Sequence, residues 1–306
     1  MRLLKKVVVH GVLVLGLSLS FTVPSMAADF QSIAMLANQG HSLSQNDLGL
    51  MYSNGDQVRQ DYTQAREWFQ RAANQGLAVS QHNLGVIYRD GTGVRQDYTQ
   101  AREWFQRAAN QGYAPSQTNL GMIYANGEGV RKDLTKAVNL YIQAANQGNA
   151  QAQFNLGWRY YRGEGIRQDY TQAREWFQRA ANQGLAEAQY NLGSMYEKGE
   201  GVNQNYGMAV NLYTKAANQG YSHAQNNLGL MYEEGEGVNQ NYGMAVNLYT
   251  KAANQGHAQA QFNLGIIYGS DVYKDYTKAK QWYETACINK HRESCDRYRK
   301  LSQWGY

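Results

Sequence analysis

Proline is almost missing from this 306-residue chain, which has only 2 Pro against 31 Gly. Collagen, polyproline segments and proline-rich disorder are excluded together, so the glycines need another explanation. Charge is scarce as well. Asp, Glu, Lys and Arg make up 17% of the residues, below the roughly 25% usual for soluble domains. With 43% hydrophobic residues the chain is not a disordered polyelectrolyte. Beyond residue 27 no run is long and apolar enough to span a bilayer. Length alone permits about two ordinary domains or one long repetitive one.

Residues 1–27 read as a secretory signal peptide. Arg2, Lys5 and Lys6 precede a largely apolar run from Val7 to Val23, and Ser25 and Ala27 place small residues at the cleavage-determining positions. His10 and two glycines interrupt the run, and no basic stop-transfer cluster follows, which argues against a transmembrane anchor. Cleavage after Ala27 leaves no Cys at the new start, so a lipoprotein anchor is excluded. Arg2, Lys5 and Lys6 leave with the signal, taking the formal charge from +5 to +2, and nucleic-acid binding loses its main support. The expected location is periplasmic or secreted, with no membrane insertion after cleavage. The remaining positive charge concentrates over 274–300, with eight Lys/Arg and four Asp/Glu, and reads as a solvated terminal face.

Leu-Gly recurs at Leu48, Leu84, Leu120, Leu156, Leu192, Leu228 and Leu264, always 36 residues apart. Such a period is the signature of a solenoid. Residues 58–76 and 94–112 are identical, as are 201–220 and 237–256, so the chain carries its own internal comparison. Positions fixed in every unit serve the scaffold, and positions that vary are free for another use. In the first half of a unit the fixed residues Gln81, Leu84, Gly85 and Tyr88 fall at i, i+3, i+4 and i+7, one face of a helix. Glycine inside a helix costs about 1 kcal/mol relative to Ala. Its repetition therefore predicts a neighbour too close for a Cβ, while Gly91 and its equivalents predict left-handed caps. The second half opens on Asp61, Asp97, Asp133 or Asp169, later Asn205 and Asn241, all good N-caps. Gln64, Gln100 and Gln172 three residues on predict a capping box. Ala65, Trp68, Phe69 and Ala72 continue at helical spacing towards Gly76. Each unit is expected to be a hairpin of two helices of roughly 11–15 residues that must stack on its neighbours. The repeated Asn and Gln are expected to solvate the outer surface, where many solenoids use Glu and Lys.

The pattern Asn83-Leu84-Gly85-x-x-Tyr88-x-x-Gly91-x-Gly93-Val94-x-x-Asp97, then Ala101-x-x-Trp104-Phe105-x-x-Ala108-Ala109-x-Gln111-Gly112, resembles the Sel1-like repeat, a relative of the tetratricopeptide repeat. The resemblance covers 41–290. It implies an all-α fold, a right-handed α-solenoid that binds proteins, often in export, envelope or host-contact settings, with no chemistry and no cofactor of its own. Residues 28–40 match the tail of a second helix and are expected to form a half-unit cap, with 291–306 a capping helix and tail. We read the array as a monomer. From Tyr268 to Asp275 the seventh unit is two residues shorter than its predecessors, which predicts a tighter loop.

Cys287 replaces the second Ala of the Ala-Ala pair, and Cys295 replaces the Gln81 equivalent of a degenerate eighth first helix. The pair would join the end of one helix to the start of the next in an oxidising compartment. Cysteine-rich Sel1-like proteins carry such a bridge in many repeats, so the resemblance also implies a disulfide. A redox-active or metal-binding pair competes with it, although seven intervening residues is not the short Cys-x-x-Cys spacing. Some cysteine-rich members are described as penicillin-binding or β-lactamase-like, which makes a hydrolase the alternative. That chemistry needs Ser three residues before Lys; no Ser-x-x-Lys occurs, and Thr277-x-x-Lys280 is the nearest approach. His41, His82, His223, His257 and His291 are scattered, with no i, i+4 pair, so no metal site is expected. The Gly-x-Gly loops at Gly91, Gly127, Gly163, Gly199 and Gly235 follow helices and lack a Lys-Ser/Thr, so they are turns rather than phosphate cradles.

With tetratricopeptide-like packing, the positions equivalent to 82, 86 and 89 line the concave groove. Their chemistry varies from unit to unit, and the candidate partner-binding residues are His82, Arg89, Phe154, Trp158, Tyr161, Tyr190, Glu197 and Glu233. A peptide would insert apolar anchors at the aromatics of unit four and set basic residues over Glu197, Glu233 and Glu234. Packing against the next helix is the competing reading of these aromatics. Contact with peptidoglycan or another glycan is a further one, since aromatic faces suit sugar rings.

Overall fold

The computed structural model describes residues 29–306, so the expected signal peptide and cleavage site lie outside the described residues. A short helix α1 (Phe30–Asn38) opens the array. Then come α2 (Ser42–Asn54), α3 (Tyr62–Asn74), α4 (Ala78–Asp90), α5 (Tyr98–Asn110), α6 (Ala114–Asn126), α7 (Leu134–Asn146) and α8 (Ala150–Arg162). The second half holds α9 (Tyr170–Asn182), α10 (Ala186–Lys198), α11 (Tyr206–Asn218), α12 (Ser222–Glu234), α13 (Tyr242–Ala253), α14 (Ala258–Gly269), α15 (Tyr276–Ile288) and α16 (Arg292–Gln303). No strand occurs among the described residues. Each helix packs on the next, most closely within a hairpin, and the units stack into an all-α solenoid. No described helix is long and apolar enough to cross a membrane.

Hairpin geometry follows from three recurring contacts. The first helix ends on a left-handed glycine: Gly91 has φ 68° and its amide donates to the Ile87 carbonyl at 2.9 Å. The second helix starts on an Asp or Asn cap, Asp97 Oδ1 accepting the amides of Thr99 at 2.9 Å and Gln100 at 3.0 Å. The expected capping box is only half formed. Asp97's own N–H, which a box would give to the Gln100 side chain, donates instead to the Tyr88 carbonyl of the first helix at 2.8 Å. The equivalent bond forms at Asp61, Asp133, Asp169, Asn205, Asn241 and Asp275, so it staples every hairpin. The third contact explains the Leu-Gly dipeptide. A Cβ on Gly85 would lie 2.5 Å from the Phe105 ring, which is fully buried. Gly121 meets Tyr141 in the same way at 2.6 Å, and Gly265 meets Tyr283.

Stacking between units is carried by a buried glutamine. Gln81 Nε2 donates to the Ala73 carbonyl at the end of α3, and Gln81 Oε1 accepts from Gln111 Nε2 at the end of α5, at 3.2 and 2.8 Å. One side chain thereby ties three helices. The equivalents at Gln45, Gln117, Gln153, Gln189, Gln225 and Gln261 do the same. These glutamines are 2–5% exposed, the exception among repeated amides that otherwise lie on the outside as expected, such as Asn74 and Gln75. At the last junction Cys287 and Cys295 occupy the two ends of this link, eight residues apart, and form a disulfide with Cα atoms 4.8 Å apart.

The ends deviate in ways that fit their position. In α1, Leu36 stands where α3 has Ala72; Leu36 is 37% exposed while Ala72 is fully buried, because among the described residues no first helix precedes α1. In the shortened seventh loop, the left-handed glycine cap is replaced by Ser270 in an extended conformation, yet the Asp275-to-Tyr268 staple persists at 2.8 Å.

Gly85→Ala should destabilise the chain by about 1–3 kcal/mol, since overpacking against an immovable ring outweighs the better helix propensity. Gly207→Ala should instead stabilise it by about 0.5–1 kcal/mol, because the only atom near its Cβ is Asn205 Oδ1 at 3.4 Å and its φ is not positive. Urea unfolding followed by circular dichroism of both variants checks the opposite signs.

Candidate partner-binding surface

The first helices lie side by side, and hydrogen bonds between successive ones orient the candidate residues. Ser80 Oγ donates to Asn46 Oδ1 at 2.9 Å, His82 Nδ1 lies 2.9 Å from Ser116 Oγ, and Arg89 Nη1 donates to Asn119 Oδ1 at 2.8 Å. The lines equivalent to 82 and 89 therefore face the next unit. Asn46, Thr118, Asn226 and Phe262 on the 82 line are buried. His82 rests against Phe105 and Tyr113, Phe154 against Phe177, and Tyr190 against Tyr213 and Tyr221, with ring centroids 5.3–5.7 Å apart. The open face centres instead on the 86 line, where Leu50, Val86, Met122, Trp158, Ser194, Leu230 and Ile266 are half-buried or exposed. The exposed line at Asn54, Asp90, Asn126, Arg162, Lys198 and Glu234 flanks it. Of this second line only Glu234 enters the sequence-based candidates above, although the line lies four residues beyond the 86 line and so on the same helix face.

In unit four the aromatics form a connected surface. Trp158 stacks on Tyr161 with centroids 5.4 Å apart and planes 6° from parallel, and the Arg162 guanidinium lies 4.7 Å from the Trp158 centroid. Tyr161 donates its hydroxyl to Glu200 Oε2 at 2.7 Å; burial first, then Glu200, pushes its pKa up to about 12. Arg159 falls on a line that is Met or Ile in the other six units, and its side chain pairs with Glu164 beside the buried Tyr141.

The acidic candidates also have internal partners. Tyr213 donates to Glu197, and Tyr249 donates to Glu233 at 2.6 Å. Residues 185–256 hold six Glu and three Lys, whereas 77–184 hold twelve Arg/Lys and eight Asp/Glu, so the array changes sign midway. Burial, then Glu236, Glu233 and Glu197, raises the Glu234 carboxyl above its usual range. Among the described residues no group of three or more His, Cys, Asp or Glu is placed to hold a metal. Stacking does bring His223 and His257, 34 residues apart, into edge-to-face contact at 4.8 Å, which their sequence spacing concealed.

Seven consecutive stretches, 42–77, 78–113, 114–149, 150–185, 186–221, 222–257 and 258–291, match the model of the Sel1 repeat. The chain belongs to the Sel1 repeat family. It is 36% identical to a protective antigen present in uropathogenic Escherichia coli strains that displays an SLR fold, with a TM-score of 0.82 over 91% of this chain. This chain spans 60% of that antigen's length. A Sel1 repeat protein from Oxalobacter formigenes is 34% identical, with a TM-score of 0.70 over 89% of this chain and 79% of its own. No curated protein matches the chain. A solenoid of this family is typical of protein–protein interaction scaffolds.

His82 supplies a pH test of the unit junction. Burial, then the Arg89 charge, lowers its pKa to about 4, below the ordinary 6.5. A depressed folded pKa gives stability that is complete above about pH 6.5 and is lost as pH falls towards 4. The loss should be on the order of 2–3 kcal/mol, and His82→Asn should remove it. Urea unfolding of both chains at pH 7 and pH 4 measures the difference.

Proposed function

We propose that the protein is an exported, non-enzymatic scaffold that holds a partner protein or peptide on the open face of its first-helix layer. The carrying observation is the contrast within one face. The lines of Gln81, Gly85 and Tyr88, which stack and staple the units, are fixed in all seven, while the 86 line and its neighbours vary along the array, culminating in the Trp158–Tyr161–Arg162 stack. Aromatic and Arg anchors dominate recognition energies at protein interfaces. The acidic stretch 185–256 beside them suits a partner whose basic residues follow its apolar anchors. Export is supported by the composition of residues 1–27 and by the Cys287–Cys295 bridge. In this proposal the mature chain begins at Ala28, residues 28–40 cap the array and 291–306 close it. No hydrolase chemistry is proposed, since Thr277 is exposed and Lys280 contacts the Tyr306 carbonyl.

Crosslinking pull-down from the exported fraction tests the proposal. Replacing Trp158, Tyr161 and Arg162 together by Ala should abolish partner capture while helicity, measured by circular dichroism, falls by less than a tenth; Phe154, packed on Phe177, is left in place. Collapse of helicity would mark these residues as core, and capture undiminished by the change would move the site elsewhere.

A further inference from the structure

Units three and seven lack a loop clamp that the other five share, and unit three, unlike unit seven, leaves the lysines that replace it without acidic partners. In units one, two, four, five and six a glutamine clamps the loop: Gln96 Nε2 donates to the Arg89 carbonyl at 2.6 Å and to Tyr98 Oη at 3.0 Å. Gln60, Gln168, Gln204 and Gln240 repeat both bonds. Unit three has Lys132 and Leu134 at these two positions and loses the clamp. Lys136 also replaces Gln100, which puts a cation in the first turn of α7, where the helix dipole disfavours it.

These changes converge on one open concavity of about 720 Å³, lined by Tyr124, Val130, Arg131, Lys132, Asp133, Leu134 and Lys136. The equivalent concavity in unit one, about 640 Å³, has Arg59 as its single cation beside Gln60 and Gln64. Unit three has three cations, and among the described residues none of them forms an ion pair. The contrast with unit seven is direct: Lys278, at the position of Lys136, pairs with Asp275 at 3.3 Å. In unit three Asp133 Oδ1 caps the Lys136 amide at 2.9 Å, while Lys136 Nζ turns to Tyr124 Oη at 2.7 Å.

We propose that this concavity is a binding site for a phosphate-type anion, free or carried on a lipid headgroup. Arg131, Lys132 and Lys136 supply the charge, and Val130, Leu134 and the Tyr124 ring form the wall for an attached carbon skeleton. An anion there relieves the repulsion among three unpaired cations at a helix N-terminus. The site lies in the hairpin loop and is independent of the partner surface on the first helices.

The test uses a variant that is safe for the fold, because it writes unit two's own residues into unit three: Lys132→Gln, Leu134→Tyr and Lys136→Gln. The full mature chain is titrated with pyrophosphate by calorimetry. In parallel it is floated with vesicles of phosphatidylcholine, with and without phosphatidylglycerol. The wild type should bind pyrophosphate or the anionic vesicles saturably, and the triple variant should bind at least tenfold more weakly without a lower melting temperature. Binding of pyrophosphate alone assigns a soluble ligand, and capture by anionic vesicles alone assigns a headgroup. Absence of binding in both arms, or a variant weakened less than tenfold, overturns the site.

Discussion

One buried amide side chain per unit holds the stack in register. The Gln81 type of residue sits where three helices meet, giving its Nε2 proton to the last turn of the preceding second helix and taking one on Oε1 from its own unit's Gln111 type. Each bond is worth about 1 kcal/mol net, but a partner left unsatisfied in the interior costs about 1–3 kcal/mol. Slippage of one unit against the next would orphan both partners at once, so the link specifies geometry as much as it stabilises. The disulfide follows from the same constraint. At the junction of α15 with α16, Cys287 and Cys295 put a covalent bond where each earlier junction has the Gln-to-Ala hydrogen bond.

Glycine and the aromatic beneath it set the second dimension. Gly85 removes the only atom that would separate α4 from the Phe105 ring, so the hairpin closes to a distance no other residue allows. The Asp97 staple then fixes where the second helix begins relative to that contact. Amides, glycines and one-way caps do the orienting work that salt bridges do elsewhere, which accounts for the low charge. Of the few ion pairs among the described residues, most join neighbours within about five positions and are solvent-exposed, where each is worth little.

Most of the fold was legible because the repeat turns sequence into a comparison: what never changes over 36-residue intervals must be load for the scaffold. Leu84, Gly85 and the Asp caps are legible on that basis, and Cys287 and Cys295 stand out as departures from it. Contacts reaching across units were not legible. The Asp97 amide looked available to Gln100 because a capping box is local, whereas the Tyr88 carbonyl that takes it becomes a neighbour only after the hairpin closes. The stripe at 82, 86 and 89 was placed by helical phase, and phase cannot tell an open face from one covered by the next helix. Burial of Asn46 and Thr118 shows that the 82 line belongs largely to the covered side. His223 and His257 met for the same reason, through stacking rather than spacing.

The acidic residues show how one position can serve both packing and display. Where the ring under the glycine is Phe, as in Phe69, Phe105 and Phe177, the facing first-helix residue is Ser53, Arg89 or Tyr161. Where it is Tyr213 or Tyr249, the facing residue is Glu197 or Glu233, and the hydroxyl and carboxylate bond to each other. Burial, then the bond to the carboxylate, raises both phenol pKa values, so each hydroxyl keeps its proton and holds its carboxylate in one orientation. That bond occupies one of roughly four lone-pair sites on the carboxylate. The remaining sites are held at a fixed angle on half-buried side chains, so a cation arriving from a partner would find its acceptor already ordered, with less side-chain entropy left to lose.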